Sequence, residues 1–196
     1  MSRLLFQGHG SFRITTDDAV VIYVDPYVGS GYGEPADIIL VTHQHGDHNQ
    51  LQKVSRKKDS AIIQNQDALQ KGAYKSFNLK GVGIQAVPAY NKNHDRQQCV
   101  GYILSFDGLK VYAAGDTSTT EEMKGFSSLG LDYALLPIDG VYNMDPEEAA
   151  RCAGLIGAKH SIPIHMAPGE LFDAGKAARF KAKNRLIVKA GEEIEL

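Results

Sequence analysis

Apolar and polar residues alternate through "SFRITT" (Ser11 to Thr16), and the pattern predicts a half-buried strand. Apolar residues then run almost unbroken through "AVVIYVD" (Ala19 to Asp25), as in a strand covered on both faces. Asp17 and Asp18 between them predict a hairpin turn. "ADIILVT" (Ala36 to Thr42) reads as a third strand, and "SAIIQN" (Ser60 to Asn65) and "GVGIQAVPA" (Gly81 to Ala89) as two more, separated by a short helix in "QDALQKGAYK". "QCVGYILSF" and "LKVYAAGD" flank Asp107 and Gly108, a pair suited to a tight β-hairpin. "TSTTEEMKGF" opens with capping and acidic residues that favour a helix start. "DYALLPID" is a buried strand, and "DPEEAARCAGLIGAK" a helix with Asp145 at its N-cap and Pro146 at its first position. "SIPIHM" predicts a short strand, "PGELFDAGKAARFKAKN" an amphipathic helix and "RLIVKAG" a closing strand. Strands with interspersed helices, without a linker or a repeat, predict one mixed α/β domain over residues 1–196.

Composition changes this picture little. With 43% hydrophobic and 22% charged residues the chain can build an ordinary globular core. A net charge of −2 supplies no basic field for nucleic acid, and the one basic run, "SRKKD" (Ser55 to Asp59), reads as a solvated helix end. "MSRLLFQGHGSF" is too polar for a signal-peptide core, and no stretch approaches the ~20 apolar residues of a membrane span. Cys99 and Cys152 are isolated and read as free thiols in a reducing cytoplasm.

The chemistry lies in "LVTHQHGDHN" (Leu40 to Asn49). Three of the chain's seven histidines fall within six positions directly after an apolar strand, and chance is a poor explanation. His43 and His45 are two apart, so in extended chain both imidazoles point the same way and can grip one divalent ion. Asp47 and His48 follow Gly46, where the backbone can turn sharply and serve a second ion.

These residues, Thr42 to His48, resemble the THxHxDH motif of the metallo-β-lactamase fold superfamily. The resemblance extends to "VDPY" (Val24 to Tyr27), "PAYN" (Pro88 to Asn91), "AGDT" (Ala114 to Thr117), "LPIDGVYNMDPEEAA" and "IPIHM". Together these look like the small metal-dependent hydrolases that include the ascorbate phosphate lactonases. The resemblance implies a four-layer αββα sandwich holding two divalent ions, zinc first, with manganese or iron as alternatives. It assigns His43, His45 and His94 to one ion, Asp47, His48 and His165 to the other, and Asp116 as the bridge between them. A water shared by two such ions becomes acidic enough to attack near neutral pH, with Asp47 orienting it. His9 in "GHGSF" is implied to support the centre or to donate a proton to the leaving group. His160 receives no role.

The implied activity is hydrolysis of an ester, lactone or phosphodiester bond of a small molecule. A nuclease of the same fold and a non-enzymatic metal binder are the alternatives. Relatives with "PAYN" often continue into His-Pro-Lys where this chain has His94, Asp95 and Arg96, so substrate contacts from that loop are not carried over. Specificity is expected in the loops Tyr27 to Pro35, Tyr90 to Gln97 and Asp139 to Met144.

Overall fold

The computed structural model describes residues 1–196, built around two six-stranded sheets. The first contains β1 (Arg3–Gly8), β2 (Ser11–Thr15), β3 (Val21–Val24), β4 (Ala36–Val41) and β5 (Arg56–Gln64). After the short helix α1 (Asn65–Ala68) and the small hairpin β6 (Leu69–Gln70) and β7 (Ala73–Tyr74), the second sheet follows. It contains β8 (Ser76–Leu79), β9 (Val82–Pro88), β10 (Val100–Phe106), β11 (Leu109–Ala113), β12 (Tyr133–Pro137) and β13 (His160–Ile164). Helix α2 (Pro146–Ile156) joins β12 to β13, α3 (Ala174–Arg179) follows, and β14 (Glu193–Glu195) returns to the first sheet beside β1.

The two sheets share one connectivity. From β1 to β5, and again from β9 to β13, two antiparallel steps are followed by two parallel ones. Strand periodicity divides the side chains among the layers. Ile22, Val24, Ile38 and Leu40 of the first sheet meet Tyr102, Leu104, Leu135 and Ile162 of the second in the central core. On the other side of the second sheet, Tyr112, Ala134 and Leu136 pack against Met123, Phe126, Ala149, Ala153 and Phe180 under the helices. Val21, Tyr23 and Ile39 face outward from the first sheet, where Tyr32, Leu51 and Val54 from loops cover them. Burial on both faces accounts for the continuous apolar runs. The result is the αββα sandwich, with its outer layer on the first sheet reduced to loops and one 3-10 turn (Leu51–Lys53).

Four local expectations are corrected. "SRKKD" is the start of β5, because Lys57 reaches the buried Asp37 on β4. "QDALQKGAYK" is helical only to Ala68, since Lys71 and Gly72 both take positive φ and turn the chain into the β6–β7 hairpin. The helix expected over Pro168 to Asn184 is limited to α3, capped at Asp173 and stopped where buried Phe180 turns extended. "RLIVKAG" forms one isolated bridge, Ser161 with Arg185, while Leu186 and Val188 pack into the central core; the closing strand is the polar β14.

Asp37 itself accepts hydrogen bonds from Lys57 Nζ at 2.6 Å, Lys80 Nζ at 2.7 Å and the Val21 amide at 2.9 Å. Burial alone would raise its pKa, but the two ammonium groups pull it below the usual carboxylate value. The unfolded chain therefore takes up the proton first as pH falls. The stabilisation is complete above pH ~4 and disappears as pH drops through the folded value. Asp37→Asn should cost about 1–3 kcal/mol at pH 7. Urea melts of both proteins from pH 7 to 3 should converge at the acid end; a pH-independent difference contradicts this account.

Candidate metal centre

Every residue of the centre stands where a strand ends, at one edge of the sandwich. Asp25 follows β3 and Thr42 to His48 follow β4; Asp116 comes three residues after β11 and Asp139 two after β12. His165 follows β13, His94 lies in the loop after β9, and His9 lies in the turn between β1 and β2. Parallel strands deliver the chain to such an edge from both sheets. His9, Asp25 and His165 are non-glycine residues with positive φ, at 55°, 46° and 45°, a conformation that costs energy and clusters at functional sites. Gly115 takes φ of 64°, and a Cβ there would lie 3.0 Å from Thr42 Cβ and from the Val100 carbonyl, so the approach to Asp116 needs glycine.

The structure brings all eight sequence-predicted site residues together. His43, His45 and His94 form one group of potential ligands and Asp47, His48 and His165, with His9, another; within each, the ligand atoms lie within 4.8 Å of one another. Asp116 sits between the groups. Its Oδ1 is 3.4 Å from His48 Nε2, and its Oδ2 is 3.2 Å from His94 Nε2 and 3.4 Å from His165 Nε2. Asp47 Oδ2 lies 3.7 Å from His165 Nε2 and 3.9 Å from His48 Nε2. His160, at the opposite end of β13 from His165, is exposed and stacks on Tyr133.

A set of residues that the sequence did not single out as orienting groups aims these imidazoles. Asp25 Oδ2 accepts from His48 Nδ1 at 2.9 Å and from the Thr42 hydroxyl at 2.7 Å, and that hydroxyl in turn accepts from His43 Nδ1 at 3.0 Å. One buried carboxylate thus orients two histidines. Asn91 Oδ1 accepts from His94 Nδ1 at 3.0 Å. Asp139 Oδ2 lies 3.3 Å from His165 Nδ1, at ion-pair distance although not aligned as a hydrogen bond. Fixing Nδ1 leaves Nε2 facing inward, the arrangement that supports metal-binding histidines. Asp25 and Asp139 each end an apolar strand, as Asp116 nearly does, and that shared position was the available signal.

The buried centre contains polar atoms that no protein group satisfies: Nε2 of His43, His48 and His165, and Oδ1 of Asp116. Orphaned buried acceptors are costly, and imidazole nitrogens with carboxylate oxygens are the donor set of zinc, manganese or iron, so these residues fit divalent ions. The electrostatics agree. Burial and the neighbouring His48 press His43 down to about 2, which keeps its lone pair free. At His165 burial opposes charge, yet Asp116, Asp139 and Asp47 raise it to about 10, so the carboxylates favour positive charge at this point. Burial would raise Asp116, but His48, His165 and His94 hold it well below the usual carboxylate range.

His9 is 1% exposed, with Nε2 3.1 Å from Asp47 Oδ2 and Nδ1 3.4 Å from the Glu170 carbonyl. Both nitrogens are occupied, so its effect on the cavity passes through Asp47. Arg96 also points elsewhere: its guanidinium lies 4.9 Å above the Tyr90 ring and pairs with Glu122 at 2.5 Å, bracing the His94 loop from outside. Of the other expected specificity residues, Tyr32 is turned onto the outer face of the first sheet, stacked on Tyr23.

Neither buried cysteine belongs to either ligand group. The double variant Cys99→Ser, Cys152→Ser should keep its full metal content while losing some stability through altered packing. Elemental analysis checks this, and loss of metal would contradict the ligand groups.

Comparison with known proteins places this arrangement in a family. A Beta-lactamase superfamily domain matches residues 3–165. The chain is 33% identical to a UPF0173 metal-dependent hydrolase of Pyrococcus abyssi and 31% identical to one of Thermococcus kodakarensis, each match covering 100% of both chains. Among solved structures it resembles the metallo hydrolase Igni18 of Ignicoccus hospitalis, with a TM-score of 0.78 and 26% identity over 100% of both chains. A protein of Parabacteroides distasonis described as a metal-dependent hydrolase superposes with a TM-score of 0.77 at 35% identity, covering 95% of this chain and 92% of that one. Sandwich, motif and relatives agree, and the chain belongs to the beta-lactamase superfamily as a metal-dependent hydrolase of the metallo-β-lactamase fold.

Proposed function

We propose that this protein hydrolyses an ester, lactone or phosphodiester bond of a small molecule with two divalent ions, zinc first among them. The observation that carries this reading is the single buried carboxylate, Asp116, lying within 3.4 Å of imidazoles from both ligand groups. His43, His45 and His94 would hold one ion, and Asp47, His48 and His165 the other, with Asp116 shared. Ions so held supply Lewis acidity at the attacked carbonyl or phosphoryl oxygen and lower the pKa of water toward ~7.

The protein's own groups do the rest. Both Asp47 and Asp116 line the adjoining cavity, but Asp47 is 36% exposed where Asp116 is 5% exposed, so it is the more open carboxylate and can orient the attacking water. His9 holds Asp47 in place. Asp25, Asn91 and Asp139 keep the imidazoles from rotating, so that no reorganisation is needed when substrate arrives. Lys57, in the one basic run, is paired with Asp37, which leaves Arg56 and Lys58 as the other exposed cations of that run, a small patch that supports a small-molecule substrate over nucleic acid. The two free cysteines fit a reducing, cytoplasmic setting.

The test is removal of metal by chelation followed by separate reloading with zinc, manganese or iron(II). Turnover of generic esters, lactones and bis(p-nitrophenyl) phosphate should vanish and return. Turnover that survives in metal-free protein contradicts the reading.

A further inference from the structure

The loop after β12 is braced to hold an apolar pair in the open. Asp139 Oδ1 accepts from the amides of Val141 at 2.7 Å and Tyr142 at 2.6 Å, and Asn143 Nδ2 donates to Asp139 Oδ2 at 2.7 Å. From the facing loop, Asn91 and Asn93 donate to the Tyr142 carbonyl at 2.9 and 3.0 Å. The backbone is thereby tied to His165 through Asp139 and to His94 through Asn91. Yet Val141 is 53% and Tyr142 51% exposed, among the four large apolar residues that stand exposed in the whole chain.

Tyr142 forms part of the wall of a cavity of about 410 Å³ at the metal centre. Apart from the metal-centre residues, that wall consists of Tyr142 and Asn93, and it contains no Lys or Arg. The cation on the nearby loop, Arg96, is turned away onto Tyr90 and Glu122. A phosphate carried away from the scissile bond would find there one amide and one phenol, with none of the forked or ammonium donors that usually hold it. An uncharged ring or branched chain would find the tyrosine side chain, carried on a backbone that is already fixed in position. The volume is in the range of sites for small ligands.

We propose that Tyr142 is a specificity-determining residue, and that the substrate carries an uncharged apolar or aromatic group beside the scissile bond. This rests on the hydrolase reading above and narrows it. Tyr142 receives the apolar group while Asn93 faces the polar end. Hydrolysis then leaves that apolar group on the released acid or alcohol.

The experiment uses zinc-loaded wild type, Tyr142→Ala and Tyr142→Phe with methyl phenylacetate, methyl acetate and methyl phosphonoacetate, followed by acid release at constant pH. Wild type should prefer the phenylacetate ester over both others. Tyr142→Ala should lower the kcat/KM ratio of phenylacetate to acetate about tenfold, mainly through KM, and Tyr142→Phe should restore it. Calorimetric titration with phenylacetate should show Kd raised about tenfold in Tyr142→Ala, with equal metal content by elemental analysis. Preference for the phosphonate, or an unchanged ratio and Kd in Tyr142→Ala, overturns the proposal. If no ester and no bis(p-nitrophenyl) phosphate is turned over, the hydrolase reading fails, and the calorimetry still decides Tyr142: equal Kd values overturn its binding role.

Discussion

On the two-ion reading proposed above, Asp116→Ala should lower the metal-to-protein ratio from two toward one. Asp116 faces imidazoles of both ligand groups, and its charge would offset the repulsion between the two dications proposed above. Without it the group of Asp47, His48 and His165 should empty or weaken strongly, whereas His43, His45 and His94 remain as three imidazoles around one ion. His165→Ala leaves the shared carboxylate in place, so partial occupancy of both positions should persist at high metal concentration. Elemental analysis of identically reloaded proteins reads the outcome. Two ions held at wild-type affinity in Asp116→Ala would exclude the shared role.

Asp25→Ala should damage both ligand groups at once although Asp25 belongs to neither. The carboxylate is 2% exposed and accepts from His48, the Thr42 hydroxyl and the Thr42 amide, the last at 2.7 Å. Its removal frees two imidazoles to rotate and leaves buried donors without partners, at about 1–3 kcal/mol for each. Loss of such an orienting group lowers metal affinity about 10–100-fold. Asp25→Asn keeps the volume and one acceptor oxygen, and asparagine tolerates the positive φ, so it should retain more stability than alanine while still weakening metal binding. Competitive titration against a chromogenic chelator, paired with thermal melts, separates the two effects. Wild-type metal affinity in both variants would show that Asp25 is purely structural.

The ligand cluster was legible because four of its members are neighbours in sequence and chemistry alone makes them conspicuous. Asp116, His94 and His165 were legible only through resemblance, since each stands alone in its segment. Asp25 and Asp139 were not legible. Each ends a strand as any turn-forming aspartate can, and only the packing of loops at the sheet edge brings it to an imidazole. The same distinction holds for the fold. β3, β4 and β12 announced themselves by apolar runs buried on both faces. β14 did not, because "EIE" has only Ile194 to pack against the central core and is otherwise held by pairing with β1, where Arg3 meets Glu193 at 3.0 Å. "TSTTEEMKGF" predicted a helix, and the chain makes a 3-10 helix over Glu121–Leu129, where Gly125, Ser127 and Ser128 offer weak support for α geometry.

The common connectivity of the two sheets gives β3 and β11 equivalent places, and each leads to an aspartate of the centre, Asp25 and Asp116. The half built on the first sheet contributes His43, His45, Asp47 and His48; the half built on the second contributes His94, Asp116 and His165. Neither half owns a complete coordination set. Ions bound at this seam would therefore rivet the halves together, and their binding free energy would add to the cohesion between the sheets as well as to chemistry. Heat should then separate the halves at a temperature that climbs with free metal concentration. A substitution that loosens the sheet interface far from the centre, such as Leu104→Ala, should weaken metal retention without touching a ligand.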